Sequence, residues 1–320
     1  MTASADRPES YSHELTVTVP EPLAGERADT AVAQLIGESR TYAAEIVARG
    51  DVTLDGAVLK KRDRLVAGRE LTIRWNEKPA PMVTLDEVAD FRIVHDDSDI
   101  VVVSKPAGVA AHPSLGWHGP TVLGVLAGRG YTIATSGPPE RQGIVHRLDQ
   151  GTSGLMVVAK SEYAYSELKR QFKAREVSKI YHAVVQGHPD PLVGTIDGPI
   201  GRDPRSEWKF AVVHGGKPSL THYEVIEALR YASLLEIELE TGRTHQIRVH
   251  MSAQRHPCVG DITYGADPVL AAKLGLERQW LHATRLGFVH PGSAEWVEFE
   301  SDYSADLQNA LERLASGVDL

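Results

Sequence analysis

The 320-residue chain holds one cysteine, Cys258, so it has no internal disulfide framework and its composition fits a reducing cytoplasm. An apolar N-terminal run is missing; the chain opens Met-Thr-Ala-Ser-Ala-Asp-Arg-Pro, and no signal peptide is expected. No apolar stretch is long enough to span a bilayer, so no membrane partner is expected. Positive charge is also short. A net charge of −9 argues against a protein that coats nucleic acid indiscriminately. It leaves room for a local basic groove, because phosphate binding depends on where the cations sit. Internal repeats and low-complexity segments are absent. What remains, at 42% hydrophobic residues, is an ordinary globular composition, long enough for one large domain and a small one.

The order of patterns predicts where those domains lie. Residues 1–16 read as a loose polar tail, although Thr16 to Val19 could open a strand. From Arg27, apolar residues at Ala28, Val32, Leu35 and Ile36 recur at helical spacing and stop at Gly37. Ser39 is placed to cap a second helix that runs to about Arg49. Val52 to Leu59 folds back on Asp55-Gly56 as a hairpin, and Leu71 to Trp75 supplies another strand. This small domain, 17–80, has ten Lys/Arg against ten Asp/Glu; its basic cluster is Lys60, Lys61, Arg62 and Arg64. The two prolines of Asn76 to Met82 mark a break, with a linker at 81–90 and the large domain at 91–320.

In the large domain, strands are expected at Phe91–His95 and Ile100–Ser104, and a short helix at Thr121–Leu126. A long loop follows at Gly130–Gln142. Tyr165, Leu168 and Phe172 share one face of a further helix that carries Lys169, Arg170, Lys173 and Arg175. Lys179–Val185 and Leu234–Glu240 alternate like half-buried strands. Thr244 is the expected cap of a helix to about Ala253; Trp280–Ala283 and Leu286–Val289 form a late strand or two, and Leu307–Leu314 a terminal helix.

The densest chemistry lies at 143–160, Gly-Ile-Val-His-Arg-Leu-Asp-Gln-Gly-Thr-Ser-Gly-Leu-Met-Val-Val-Ala-Lys. A polar loop bearing His146, Arg147 and Asp149 leads into a run of small residues, Gly151 to Gly154, and then a buried strand. The small residues let a backbone or a flat ligand approach closely. A phosphate loop is excluded because no Gly-Lys-Ser/Thr follows, and a nucleophile elbow because Gly154 directly follows Ser153. Ser153, His146 and Asp149 are too close in the chain to form a hydrolytic triad. His245, His250 and His256 do not share a helical face, so no metal set is expected. Cys258 has no base motif beside it and reads as a small buried residue.

His-Arg-Leu-Asp-x-x-Thr-Ser-Gly-Leu, from His146, resembles the signature of the RluA-like RNA pseudouridine synthases. Lys179-x-Tyr181 and Thr241-Gly-Arg-Thr-His-Gln-Ile-Arg-Val-His250 resemble that family's later signatures, in matching order. Lys105-Pro-Ala-Gly, before them, is similar to its first motif, a segment that helps wall the active site. Residues 27–75 resemble an S-four-like RNA-binding domain, with Ala28 where that family more often has Leu.

The resemblance implies an α+β fold: a mixed, mainly antiparallel sheet with flanking helices, plus the small domain. It implies isomerisation of specific uridines, most often in large-subunit ribosomal RNA. Uracil would be turned within its own nucleotide, so no cofactor is implied. Asp149 maps onto the catalytic nucleophile, with Arg248 as its ion-pair partner and Arg243 as the second choice. Such a guanidinium keeps a carboxylate ionised. Tyr181 would pack on a base flipped out of its stack, and Arg147 would fill the gap left behind or hold a phosphate. His146, Thr152, Arg243 and His245 are expected to touch substrate; Arg40, Lys60, Lys61, Arg62 and Arg64 would bind RNA, and the protein would act as a monomer. Transfer RNA as substrate, or a non-catalytic assembly factor, stay open as alternatives.

Overall fold

A computed structural model describes residues 11–37, 40–76, 87–114, 117–206 and 208–317, the side chains of Arg40 and Thr41 excepted. The chain divides into two compact units, Met1–Met82 and Val83–Leu320. In the smaller, β1 (His13–Thr18) precedes α1 (Ala28–Ile36) and α2 (Arg40–Arg49), followed by β2 (Val52–Leu54), β3 (Ala57–Val58) and β4 (Glu70–Trp75). The sheet is antiparallel in the order β1-β4-β2-β3. Ala28, Ala31 and Val32 of α1 join Ala43, Ile46 and Val47 of α2 in one buried cluster with Val52, Leu71 and Ile73. Gly37 ends α1 in the left-handed conformation, as a glycine C-cap does. Asp55 and Gly56 both take positive φ, 45° and 82°, the geometry that a two-residue hairpin needs.

Strand β1 starts at His13, inside the stretch expected to be tail, because residues 13–18 pair in register with 75–70 of β4. The expected cap Ser39, and residues 81–86 of the expected linker, lie outside the described residues.

The larger unit contains β5 (Arg92–Asp96), β6 (Ile100–Lys105), α3 (Val122–Gly128), β7 (Ser153–Ala159), α4 (Glu162–Ala174) and β8 (Ser178–Gln186). Next come β9 (Val193–Asp197), β10 (Ile200–Arg202), β11 (Phe210–Val212), β12 (Leu220–Ala228) and β13 (Ala232–Leu239). The unit closes with α5 (Gln246–Ala253), α6 (Pro268–Leu274), β14 (Leu281–Val289), β15 (Trp296–Glu300) and α7 (Ala305–Ser316). Nine strands form one sheet in the order β5-β6-β7-β14-β8-β13-β12-β9, with β15 on the second half of β14; β10 and β11 make a separate hairpin. The mixed, mainly antiparallel α+β architecture read from the sequence is the one observed.

β6 and β7 are buried on both faces, which is why their sequences are unbroken apolar runs rather than alternating ones. Val101, Val103, Met156 and Val158 pack with Val122, Val125 and Leu126 of α3. Ile100, Val102, Leu155 and Val157 pack with Ala164 and Leu168 of α4 on the other side.

β7 and β14 are parallel and touch only at their starts, Ser153 beside His282 and Gly154 beside Ala283. There the approach is very close: a Cβ on Gly154 would lie 2.3 Å from the carbonyl oxygen of Ala283, and its φ of 113° is one that other residues rarely adopt. The small residues of 151–154 thus admit a neighbouring strand. Beyond this point β14 pairs with β15, so the sheet forks. The loop 146–152 feeds into the fork.

Other departures are local. His245, in left-handed conformation with φ 57°, precedes α5; Thr244 is not its cap, since the tight turn after Gly242 places the helix start later. The two late strand segments form one strand, β14.

Because the smaller unit has its own apolar core, residues 83–320 produced alone are expected to unfold cooperatively in urea. A broad, non-cooperative transition would show that the division into units is not one of stability.

Candidate active site

Asp149 sits on the loop entering β7, with its side chain 16% exposed. It lines a cavity of about 100 Å³ together with Arg147, Thr152, Tyr181, Arg243, His245 and Arg248. Three distant stretches supply these groups: the loop before β7, strand β8 and the start of α5. They meet because β8 is hydrogen-bonded to β14 on one side and β13 on the other, and α5 packs Ile247 and Met251 on the same apolar cluster as Leu148 and Tyr181.

Arg248 approaches Asp149 through Nη1 at 3.4 Å, but its stronger bonds go elsewhere. Nε and Nη2 donate to the two oxygens of Asp261 at 2.6 and 2.9 Å. The Asp261 side chain is 1% exposed, and Tyr264 lies with its ring 4.9 Å from the guanidinium. Burial is the largest influence on Arg248 and pulls its pKa down; hydrogen bonding and charge pairing with Asp261, helped by Asp149, outweigh it and hold the pKa above its ordinary value. The guanidinium is therefore a fixed cation, clamped by a buried carboxylate and offering one N–H edge to Asp149. The sequence reading missed Asp261. The only available signal was a carboxylate in the glycine-rich turn that follows α5.

Tyr181 is buried, and burial, then the charge of Asp149, raise its pKa, so it stands against the cavity as a neutral phenol. His245 places Nε2 3.9 Å from Asp149 Oδ2 while Nδ1 shares a 2.8 Å hydrogen bond with the Tyr264 hydroxyl. Burial keeps its pKa below the usual histidine value. Thr152 accepts from Gln279 Nε2 at 3.1 Å, and its N–H donates to the Asp149 carbonyl, closing the turn. Arg243 reaches the rim of the cavity and donates from Nε to the Pro218 carbonyl.

His146 is the site residue that the structure does not bring to the cavity. Its Nε2 accepts from the Val157 N–H at 3.0 Å, and its ring stacks on Phe172 of α4 at 4.7 Å. Neighbouring residues of an extended segment point to opposite faces, so His146 turns to the core while Arg147 turns to the cavity. Burial pushes the pKa of His146 down to about 3, in keeping with a neutral ring that accepts a backbone hydrogen bond. In the smaller unit, Lys60, Lys61, Arg62 and Arg64 lie exposed on the turn between β3 and β4, with Arg64 donating to the Gly25 carbonyl; the Arg40 side chain is outside the described residues.

Lys105, at the end of β6, supports the loop from behind. It is fully buried, and Nζ donates to the carbonyls of Pro106, Val109 and Gln150. Burial pushes its pKa down to about 7 against the upward pull of Asp149. A lysine in the unfolded chain titrates near ~10.4, so between these values the native state binds fewer protons and stability rises with pH. Below pH 7 the full cost of burying the charge is present. The difference in urea stability between the wild type and Lys105→Met is therefore expected to shift in favour of the wild type from pH 7 to 10. A difference independent of pH would rule out a perturbed Lys105.

His95, Asp97 and His290 bring three potential ligand atoms within 4.8 Å of one another, a grouping not anticipated from the sequence. Both rings point Nε2 at the same oxygen of Asp97, at 2.7 and 2.8 Å, while Gly292 and Ser293 N–H groups donate to His290 Nδ1. That pattern satisfies the groups as a hydrogen-bonded knot joining the β5–β6 turn to the end of β14.

The fold has counterparts among solved structures. It superposes on the human RNA pseudouridylate synthase domain containing 1 with a TM-score of 0.56 and 31% identity, covering 70% of this chain and 89% of that one. The class is thus that of enzymes built on a pseudouridine synthase domain. The pattern described as RNA pseudouridylate synthase matches residues 99–253. An uncharacterized RNA pseudouridine synthase of Mycobacterium bovis is 59% identical over 300 residues, 93% of this chain and 97% of the relative. The ribosomal large subunit pseudouridine synthase D of Neisseria meningitidis serogroup B is 41% identical over 315 residues, 95% of this chain and 83% of the relative. The chain belongs to the RNA pseudouridine synthase family, isomerases that act on RNA. Among the described residues, no helix is long and apolar enough to cross a membrane.

Proposed function

We propose that this enzyme converts uridine to pseudouridine in large-subunit ribosomal RNA, with Asp149 as the catalytic carboxylate. One observation carries the assignment of residues: Asp149, Tyr181 and Arg248, from three separate motifs, converge on a single cavity. In the reaction the bond from C1′ to N1 breaks, a bond from C1′ to C5 forms, and the C5 proton is exchanged for one on N1. Asp149 acts on the sugar or the ring, and Arg248 sets a fixed positive charge beside it and holds it in place. Tyr181 gives the uracil a flat wall, which requires the uridine to leave its stack. Arg147, exposed at the mouth, is positioned for the vacated stack or an adjacent phosphate. The name of the Neisseria relative supports ribosomal RNA as the substrate class. The smaller unit would add affinity through Lys60, Lys61, Arg62 and Arg64 on phosphates.

Mapping pseudouridine in total RNA from cells with and without the protein tests this. Loss of one or more sites in large-subunit ribosomal RNA is expected. Loss confined to transfer RNA would move the substrate, and loss nowhere would remove the activity.

A further inference from the structure

Arg147 and Asp149 line a second cavity, of about 250 Å³, beside the first and bounded by Ala110, His112, Trp117 and His245. His112 is only 9% exposed, and its Nδ1 is buried with no hydrogen-bond partner. That nitrogen is sealed from the cavity; Nε2, which also makes no hydrogen bond among the described residues, is the atom through which the ring can meet a ligand. Trp117 lies nearby: its Nε1 donates to the Pro120 carbonyl, and its ring lies so close over Gly119 that a Cβ there would be 2.4 Å from it. An indole beside an unpaired imidazole nitrogen offers a flat ring one wall and one polar contact.

We propose that this cavity receives the base of a nucleotide adjoining the reacting uridine, with His112 hydrogen-bonded to the edge of that base. The assignment rests on the proposed function and adds a determinant of substrate choice to it. Continuity with the first cavity through Arg147 and Asp149 fits one strand of RNA crossing both. Burial and the nearby Arg147 depress the pKa of His112 to about 4, so the ring is neutral and suits a base edge better than a phosphate.

The test uses full-length protein and an RNA bearing a mapped target uridine, together with two copies in which the 5′ or the 3′ neighbour is abasic. For the wild type, kcat/KM is expected to fall about tenfold on one of the two abasic RNAs, equivalent to ~1.4 kcal/mol. His112→Ala should lose a similar factor on the intact RNA and nothing further on that abasic RNA, whereas His112→Gln should recover part of the loss. Equal loss by His112→Ala on all three RNAs would make the residue structural and overturn the assignment. If the variant does not fold, the wild type decides: equal turnover of intact and abasic RNAs overturns it. A wild type that makes no pseudouridine in any RNA overturns the proposed function, and this assignment with it.

Discussion

Asp149→Asn is expected to lose pseudouridine formation by roughly ten-thousand-fold or more, the scale on which removal of a covalent nucleophile is measured in hydrolases. The substitution keeps the shape of the side chain and removes its charge. The fold should tolerate it. Arg248 keeps its two short bonds to Asp261, so no buried cation is orphaned. RNA affinity should change little, because contacts to the phosphate backbone supply most of it and lie outside the cavity. Two measurements on one preparation decide the matter, pseudouridine formed per enzyme and fluorescence binding of the same RNA. A variant that turns over within about tenfold of the wild type would show that the chemistry belongs to another group. Tyr181→Phe should be milder, because the ring that walls the cavity remains.

The parts of this structure legible in the sequence are those whose determinants are local. The hairpin at Asp55-Gly56 needs only two residues that accept positive φ, and the alternation of β13 needs only one buried face. β12 was not seen: only Thr221 among its nine residues is buried, so its place between β9 and β13 leaves little apolar period to read. α6 did carry signals, a capping Asp267, Pro268 at the first turn and Gly275 at the end, but it spans only seven residues.

The same division holds at the site. Asp149, Tyr181 and Arg248 were named through motifs, yet nothing in one dimension says that Arg248 is shared between two carboxylates. The Asp149–Arg248 pair is the longer contact, and the bidentate pair with Asp261 depends on a turn thirteen residues away. Lys105, known as part of a loop motif, acts through backbone carbonyls, which carry no sequence signal.

Arg248→Met should be the most disruptive single change for fold and activity together. It leaves Asp261, with a side chain 1% exposed, as a buried carboxylate stripped of its cation. Breaking a buried pair from one side costs about 3–5 kcal/mol, far more than an exposed pair is worth. Lysine should not rescue it, because a point charge cannot reproduce a fork that reaches both oxygens of Asp261 and the edge of Asp149. Stability and catalysis can be separated by adding Asp261→Asn. The double variant has no unpaired buried charge at this position, and the amide oxygen can still accept from the Tyr264 N–H that Asp261 Oδ1 now meets at 3.3 Å. Urea unfolding should therefore recover at least half of the loss, while turnover should stay roughly a thousandfold down, the upper range for removing one preorganised electrostatic partner. If activity returns in step with stability, Arg248 is a scaffold residue and Asp149 does not depend on its charge. If neither returns, Asp261 has a structural task beyond pairing with Arg248, and its contact with the turn at Tyr264 is where that task would lie.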